Sequence, residues 1–335
     1  MTKTKVGLIG LGFIGRMHLA TLRRGGLAEL TAVADKEPEN LAGRGAAGNL
    51  EVSGDTSLDG VATYASGEAL LAEADVDAVI VAVPTYLHKD LAIAAIKAGK
   101  HVLCEKPLAL SGEEGRAICE AIAGSDRAFM VGHCLRFWPA YMKAAEFVRQ
   151  GTYGAVRHAH FIRTSPKPAW AWQGWLMDER LSGGAILDLH VHDVDFVNYL
   201  FGRPKSIEAV GVRNGKEGIE QANALYQYAD GPVVTIEGGW GHPAPYPFRM
   251  GFRIVCEKAT LVFESSVDMN LRVYDANGAT EALDNCEGDG YAGEQAYFLD
   301  CIARGEAPTN GTAQSSTEAL ELVDWERAVI AERGI

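Results

Sequence analysis

The chain reads as two domains: an α/β domain built on a parallel sheet, then an α+β domain with a large, mostly antiparallel open sheet. Three observations lead there. The first third alternates short apolar runs with helical stretches. The second half carries segments that alternate apolar and polar residues, separated by turns rich in glycine, asparagine and aspartate. And 335 residues exceed what one small core organises. The expected division is 1–125 and 126–335.

In order, KVGLIG reads as a buried strand and FIGRMHLATLRRGG as the helix after it. LTAVAD, GVATYA, DAVIVAVP, HVLCEKP and AFMVGH are further strands, with helical GEALLAEA, LHKDLAIAAIKAGK and SGEEGRAICEAIAG between the later ones. Strands alternating with helices predict a parallel sheet covered on both faces. Beyond it AVRHAHFIRT, SIEAVGVRN, NALYQYAD, PVVTIEGGW, FRMGFRIVCEK, ATLVFES and LRVYD read as antiparallel strands, and TEALELVDWERAVIAE as a closing helix. A sheet of that size has a second face to cover, so a homo-oligomer, dimer or tetramer, is expected.

A net charge of −13 argues against nucleic acid and anionic membranes as partners and points to small molecules. The six cysteines lack CxxC spacing, as in a chain with reduced thiols, and the apolar run at the N-terminus is too short for a signal peptide. A cytoplasmic protein is expected.

The first strand opens into GLGFIG, with Gly10, Gly12 and Gly15 in GxGxxG spacing around Phe13 and Ile14, and Asp35 lies 20 residues past Gly15 at the end of the second strand. Gly10 permits the tight turn, Gly12 lets a pyrophosphate approach the backbone, and Gly15 lets helix pack on strand. The helix N-terminus offers free N–H groups to phosphates. The Asp35 carboxylate suits ribose hydroxyls and repels a 2′-phosphate, favouring NAD. Lys36 beside it leaves NADP open. The competing reading is an α/β domain with a plain glycine turn.

HVLCEKPLALS sets Glu105, Lys106 and Pro107 where a strand ends, the edge at which open α/β sheets bind ligands. Proline holds Lys106 extended. A lysine there can steady a developing alkoxide, or can simply be a solvent lysine in a turn.

SGGAILDLHVHDVDF, residues 182–196, places two histidines and three aspartates within eight positions. Its apolar spacing predicts one helix from about 185 to 201, stopped by Gly202 and Pro204. On a helix Asp188 and His192 share a face, while His190 and His192 do not. A carboxylate beside an imidazole suits general acid–base chemistry, and can equally be a structural pair. No metal centre is expected, although on a strand the two histidines would share a face and could clamp one. Elsewhere His133 and Arg136 are candidates for substrate or cofactor contacts, with a structural ion pair the alternative for Arg136. Trp170, Trp172 and Trp175, and Trp175 above all, offer faces to a sugar ring or to the core. His18, His88 and His101 are expected to be structural or exposed.

GLGFIG, AVPTYLH at 82–88, EKPLALS at 105–111 and the 182–196 stretch, in this order, resemble the Gfo/Idh/MocA family of nicotinamide-dependent sugar and polyol oxidoreductases. The likeness runs nearly end to end and implies a Rossmann domain followed by an α/β domain with a large open sheet. It implies a catalytic set of Lys106, Asp188 and His192, with His192 as the acid/base, Lys106 polarising the hydroxyl and Asp188 binding substrate and tuning His192. It implies cofactor contacts along the glycine loop and at Pro84, Thr85, His88, Glu105 and Lys106. The implied function is hydride transfer between NAD and a secondary hydroxyl or ketone of a sugar, inositol or sugar derivative. The alternatives are a lyase or glycoside-cleaving enzyme that oxidises its substrate transiently with tightly bound NAD, and a non-catalytic NAD or sugar sensor. Three departures stand out: the stretch enters through Gly-Gly-Ala where Gly-Gly-Gly is frequent, His190 occupies a place often held by a small residue, and the segment 43–60 is longer than usual on the adenosine side.

Overall fold

The computed structural model describes residues 3–43, 52, 54–281 and 289–333. It divides into two compact units, the first made of 1–134, 170–175 and 290–317, the second of 135–169, 176–289 and 318–335.

The first unit contains β1 (Thr4–Ile9), α1 (Phe13–Gly25), β2 (Ala28–Ala34), α2 (Pro38–Leu41), β3 (Ala62–Tyr64), α3 (Gly67–Glu73), β4 (Ala78–Val81), α4 (His88–Lys97), β5 (His101–Glu105), α5 (Gly112–Ile122) and β6 (Phe129–Gly132). The strands form one parallel sheet in the order β3-β2-β1-β4-β5-β6, the doubly wound order of dinucleotide-binding folds. Val6, Leu8, Val79, Val81, Val102, Leu103 and Met130 are all buried, because helices cover both faces and leave no solvent side for polar alternation. The register lines up Ile9, Ala34, Val81, Cys104 and Val131 across the sheet, so the chain leaves β1, β2, β4, β5 and β6 along one common edge. The division expected near residue 125 falls before β6, which pairs with β5 and completes this sheet.

The second unit begins with α6 (Pro139–Gln150) and β7 (Val156–Pro166), then α7 (Glu179–Ser182), α8 (Ala185–Asp188) and α9 (Val191–Phe201). There follow β8 (Ser206–Arg213), β9 (Ile219–Gln227), β10 (Val233–His242), β11 (Arg249–Cys256), β12 (Ala259–Glu264), β13 (Arg272–Asp275) and β14 (Gly278–Glu281). The sheet runs β14-β13-β12-β11-β7-β10-β9-β8, antiparallel throughout except for the parallel pair β7–β10. The mostly antiparallel sheet expected from alternation is therefore present. Its covered face carries an aromatic cluster in which the Tyr141 ring stands edge-on to Phe196, Phe252 and Phe263, with centroids 4.9, 4.9 and 5.5 Å away. Val210, Val212, Val233 and Tyr274 are exposed on its strands.

Two helices complete the chain. α10 (Gly290–Arg304) packs on α1 in the first unit, and α11 (Ala313–Glu332) starts in the first unit and continues in the second. The single helix expected over 185–201 is two: α8 and α9 flank a turn at Leu189–His190, so the apolar spacing persisted where the hydrogen-bond ladder did not. Of the long segment 43–60, residues 44–51 and 53 lie outside the described residues. Among the described residues, no helix is long and apolar enough to cross a membrane.

Candidate functional site

In the first unit the expected cofactor residues converge on the shared strand edge. Gly10, at φ 99°, makes the turn out of β1. A Cβ on Gly15 would lie 2.0 Å from the Gly10 carbonyl oxygen, so helix and turn touch through backbone alone. At Gly12, by contrast, a Cβ meets nothing within 4 Å. Gly12 caps α1 without a side-chain acceptor, and the first turn of α1 carries no acidic residue. Phe13, Ile14 and Gly15 therefore begin a helix whose end is arranged for an anion. This open cradle is what a dinucleotide pyrophosphate needs, and the residues fit that group.

Asp35 bridges the loops. One carboxylate oxygen accepts the Leu11 N–H at 2.7 Å and the other the Glu37 N–H at 2.8 Å. The Lys36 ammonium lies 3.9 Å from the centre of the Trp172 ring. Trp170 meets Phe13 of the glycine loop edge-on, with centroids 5.3 Å apart. The segment 170–175 is thus a strap on the cofactor loop, and Gln173 in it takes φ 47°, the only non-glycine positive φ among the described residues. Two of the three tryptophans expected to offer a sugar face are engaged here, a role that spacing could not show. Trp175 is half-buried at the end of the strap.

Pro84 and Thr85 follow β4, with Thr85 buried. His88, expected as a cofactor contact, is itself buried. Its Nδ1 lies 2.7 Å from the Pro107 carbonyl and its Nε2 2.8 Å from the Val83 carbonyl, so the ring sits between the two strand exits. Lys106 is half-buried at the end of β5, and its peptide to Pro107 is cis. His133 is buried just past β6.

Glu105 faces inward. His18 Nε2 donates to its carboxylate at 2.7 Å, and its other oxygen accepts the Lys106 N–H at 3.0 Å. Gln295 Nε2 donates to the His18 carbonyl at 3.2 Å and lies 2.7 Å from Nδ1, which sets Nδ1 as acceptor and Nε2 as donor. Glu294 joins them: ligand-capable atoms of His18, Glu105 and Glu294 lie within 4.8 Å of one another. His18 carried a signal, being a polar residue on the face of α1 that also buries Gly15, Leu19 and Leu22, but its partners could not be read from it.

Burial alone would raise the Glu105 carboxyl. The His18 hydrogen bond and the Lys106 charge outweigh burial and hold it below the ordinary 4.5. A depressed folded value contributes stability that is present above the unfolded value and lost as pH falls through the folded one. Thermal stability should therefore fall as pH drops below 4.5, this group accounting for at most about 1.4 kcal/mol per pH unit, and Glu105→Gln should remove that share of the slope. An identical slope in the variant would show that the carboxylate is not held low.

In the second unit Asp188 ends α8, half-buried, and His192 lies in the first turn of α9 at 8% exposure. They sit on either side of the break. Arg136 adopts the ion pair of its two expected readings: Nε and Nη2 grip Asp195 at 2.8 and 2.5 Å, both residues buried. Asp193 is likewise taken, by Arg163 at 2.7 Å. Asp193 and Asp195 of α9 thus serve the fold. His190 is fully buried with its Nε2 3.0 Å from Glu326.

Residues 4–133 match the profile of a family described as "Oxidoreductase family, NAD-binding Rossmann fold", and 141–262 match one described as "GFO/IDH/MocA C-terminal domain". Myo-inositol 2-dehydrogenase of Thermotoga maritima is 33% identical over 91% of this chain and 90% of its own length. 2,7-Anhydro-N-acetylneuraminate hydratase of Escherichia coli is 30% identical over 72% of this chain, and the match spans only 62% of that relative. Among solved structures, a levoglucosan dehydrogenase in complex with NADH and levoglucosan superposes with a TM-score of 0.85 at 21% identity, covering 98% of this chain and 97% of that one, a likeness of fold.

Proposed function

Because the chain belongs to the Gfo/Idh/MocA family of NAD-binding, Rossmann-fold oxidoreductases, we propose that it oxidises a secondary hydroxyl of a sugar, inositol or sugar derivative to a ketone, or runs the reverse reduction. The observation that carries this reading is the open glycine cradle on the strand edge that also presents Lys106. The inositol dehydrogenase relative supports the class of substrate.

The loop from Gly10 to Gly15 would hold NAD, which would supply the hydride-accepting chemistry. The protein does the rest. Lys106, extending from a backbone pinned by Glu105, donates to the substrate oxygen and stabilises the alkoxide as the proton leaves. His192 takes that proton. Asp188 binds the substrate hydroxyl and tunes the His192 ring. The substrate thus loses one hydride and one proton, and a C=O replaces the CH–OH. Asp35, with Lys36 drawn onto Trp172, favours NAD over NADP. The exposed Val210, Val212 and Val233 support association through the open sheet as a dimer or tetramer. Among the described residues five cysteines form no disulfide, four of them buried, which supports a reducing, cytoplasmic setting.

The test is absorbance at 340 nm with purified protein, NAD or NADP, and a panel of inositols, aldoses and anhydrosugars. A rise with one substrate class is expected, larger with NAD. The hydratase relative favours one other outcome, transient oxidation with retained cofactor. Its sign is no net change at 340 nm, cofactor that survives dialysis, and substrate turnover with no NAD added.

A further inference from the structure

The segment that carries Asp188 and His192 is broken between them, and the break has its own anchor. The N–H groups of Leu189 and His190 both donate to the Ala185 carbonyl, at 2.9 and 3.0 Å, so the turn is one residue wider than an α-helical turn. Such π-type turns cluster at functional sites. His190 stands at its end. Its ring and the Glu326 carboxylate of α11 are both wholly buried, 3.0 Å apart. The other Glu326 oxygen accepts the Tyr226 hydroxyl from β9 at 2.7 Å. Beneath the ring lies Gly238 of β10, where a Cβ would come within 2.5 Å of His190 Nδ1 and 2.7 Å of its Cβ. Only glycine leaves room for this histidine.

The charged and titratable groups around the ring are Glu326 from α11, with Tyr226 behind it on β9, Asp193 from its own helix, and Arg163 from β7. Burial disfavours the charged form of His190, but the Glu326 carboxylate outweighs burial and holds the ring above the ordinary 6.5. A buried ion pair of this kind stabilises a fold no better than apolar side chains of similar volume, and its best-attested use is to fix a register. Here the pair grips the one turn that joins Asp188 to His192.

We propose that His190 is a positioning residue: anchored on Glu326, it fixes the wide turn and so sets the approach of Asp188 to His192. The proposal rests on those two residues being the substrate-binding and acid–base groups. It accounts for a bulky, polar side chain buried at the turn, and for the glycine facing it on β10.

The experiment is histidine-ring NMR of the full chain, titrating His192 in wild type and in Glu326→Gln, beside pH profiles of kcat. Where NAD affinity stays within about twofold, the His192 titration should move by about half a pH unit or more. The kcat limb should move with it, and kcat should fall by about 10- to 100-fold, as misplacement by about an ångström does. A lower melting temperature with the His192 titration and the kcat limb both unmoved overturns the proposal. If Glu326→Gln does not fold, the double variant His190→Asn with Glu326→Gln, which removes both charges, is read the same way. The ring titration needs no substrate. A wild type that oxidises nothing in the 340 nm assay would therefore sink the dehydrogenase reading, while the titration still judges the anchor.

Discussion

Lys106→Ala is expected to lower kcat by about 100- to 1000-fold, the usual loss when one donor to a developing oxyanion is removed. NAD affinity should stay within a few-fold. The reason for the separation lies in the backbone. The Glu105 carboxylate holds the Lys106 N–H, His18 holds the carboxylate, and His88 holds the Pro107 carbonyl. Truncating the lysine side chain touches none of these bonds, so the strand exit keeps its course and only the ammonium is lost. Lys106→Arg should recover little, because a planar guanidinium does not replace a compact ammonium. Steady-state kinetics, with NAD binding followed by fluorescence, check both halves. Unchanged turnover would remove Lys106 from the mechanism, and a collapse of NAD binding would make it a cofactor residue first.

Gly15→Ala should abolish NAD binding and destabilise the protein by about 3 kcal/mol. The added Cβ would stand 2.0 Å from the Gly10 carbonyl oxygen, a backbone atom that cannot swing aside as a side chain would. Gly12→Ala is the informative partner. Its Cβ meets nothing within 4 Å, and its φ of −65° is ordinary, so the melting temperature should barely change. The methyl would nevertheless occupy the space where a pyrophosphate approaches, and NAD affinity should fall by about 100-fold or more. Calorimetric titration with NAD and thermal unfolding of both variants read the two effects. A Gly12→Ala protein that binds NAD normally would contradict the cradle.

These predictions begin from motifs legible in sequence. The glycine loop, Asp35, the exit of β5 at Lys106 and the stretch around Asp188 and His192 all announced themselves by local spacing. So did the parallel sheet, through continuous apolar strands, and the second sheet, through alternation. Such signals are short-range: a turn, a helix start or a buried strand is dictated by residues within a few positions, and periodicity reports them.

What the sequence determined by itself, then, is the order of the elements, the two kinds of sheet and the loops from which the chemistry would come. The tertiary structure decided which polar residues pair with one another. Arg136 went to Asp195, 59 positions away, and His18 to Glu105, 87 positions away. His190 went to Glu326, on a helix that forms at the far end of the chain. It also decided that Trp170 meets Phe13 of the glycine loop and Trp172 meets Lys36, that α10 returns to α1, and that the helix over 185–201 breaks at His190. Burial makes an unpaired charge costly, so every buried charge must find a partner, and the partner is whatever the fold brings near. That choice is made by packing between distant segments, which no local pattern records.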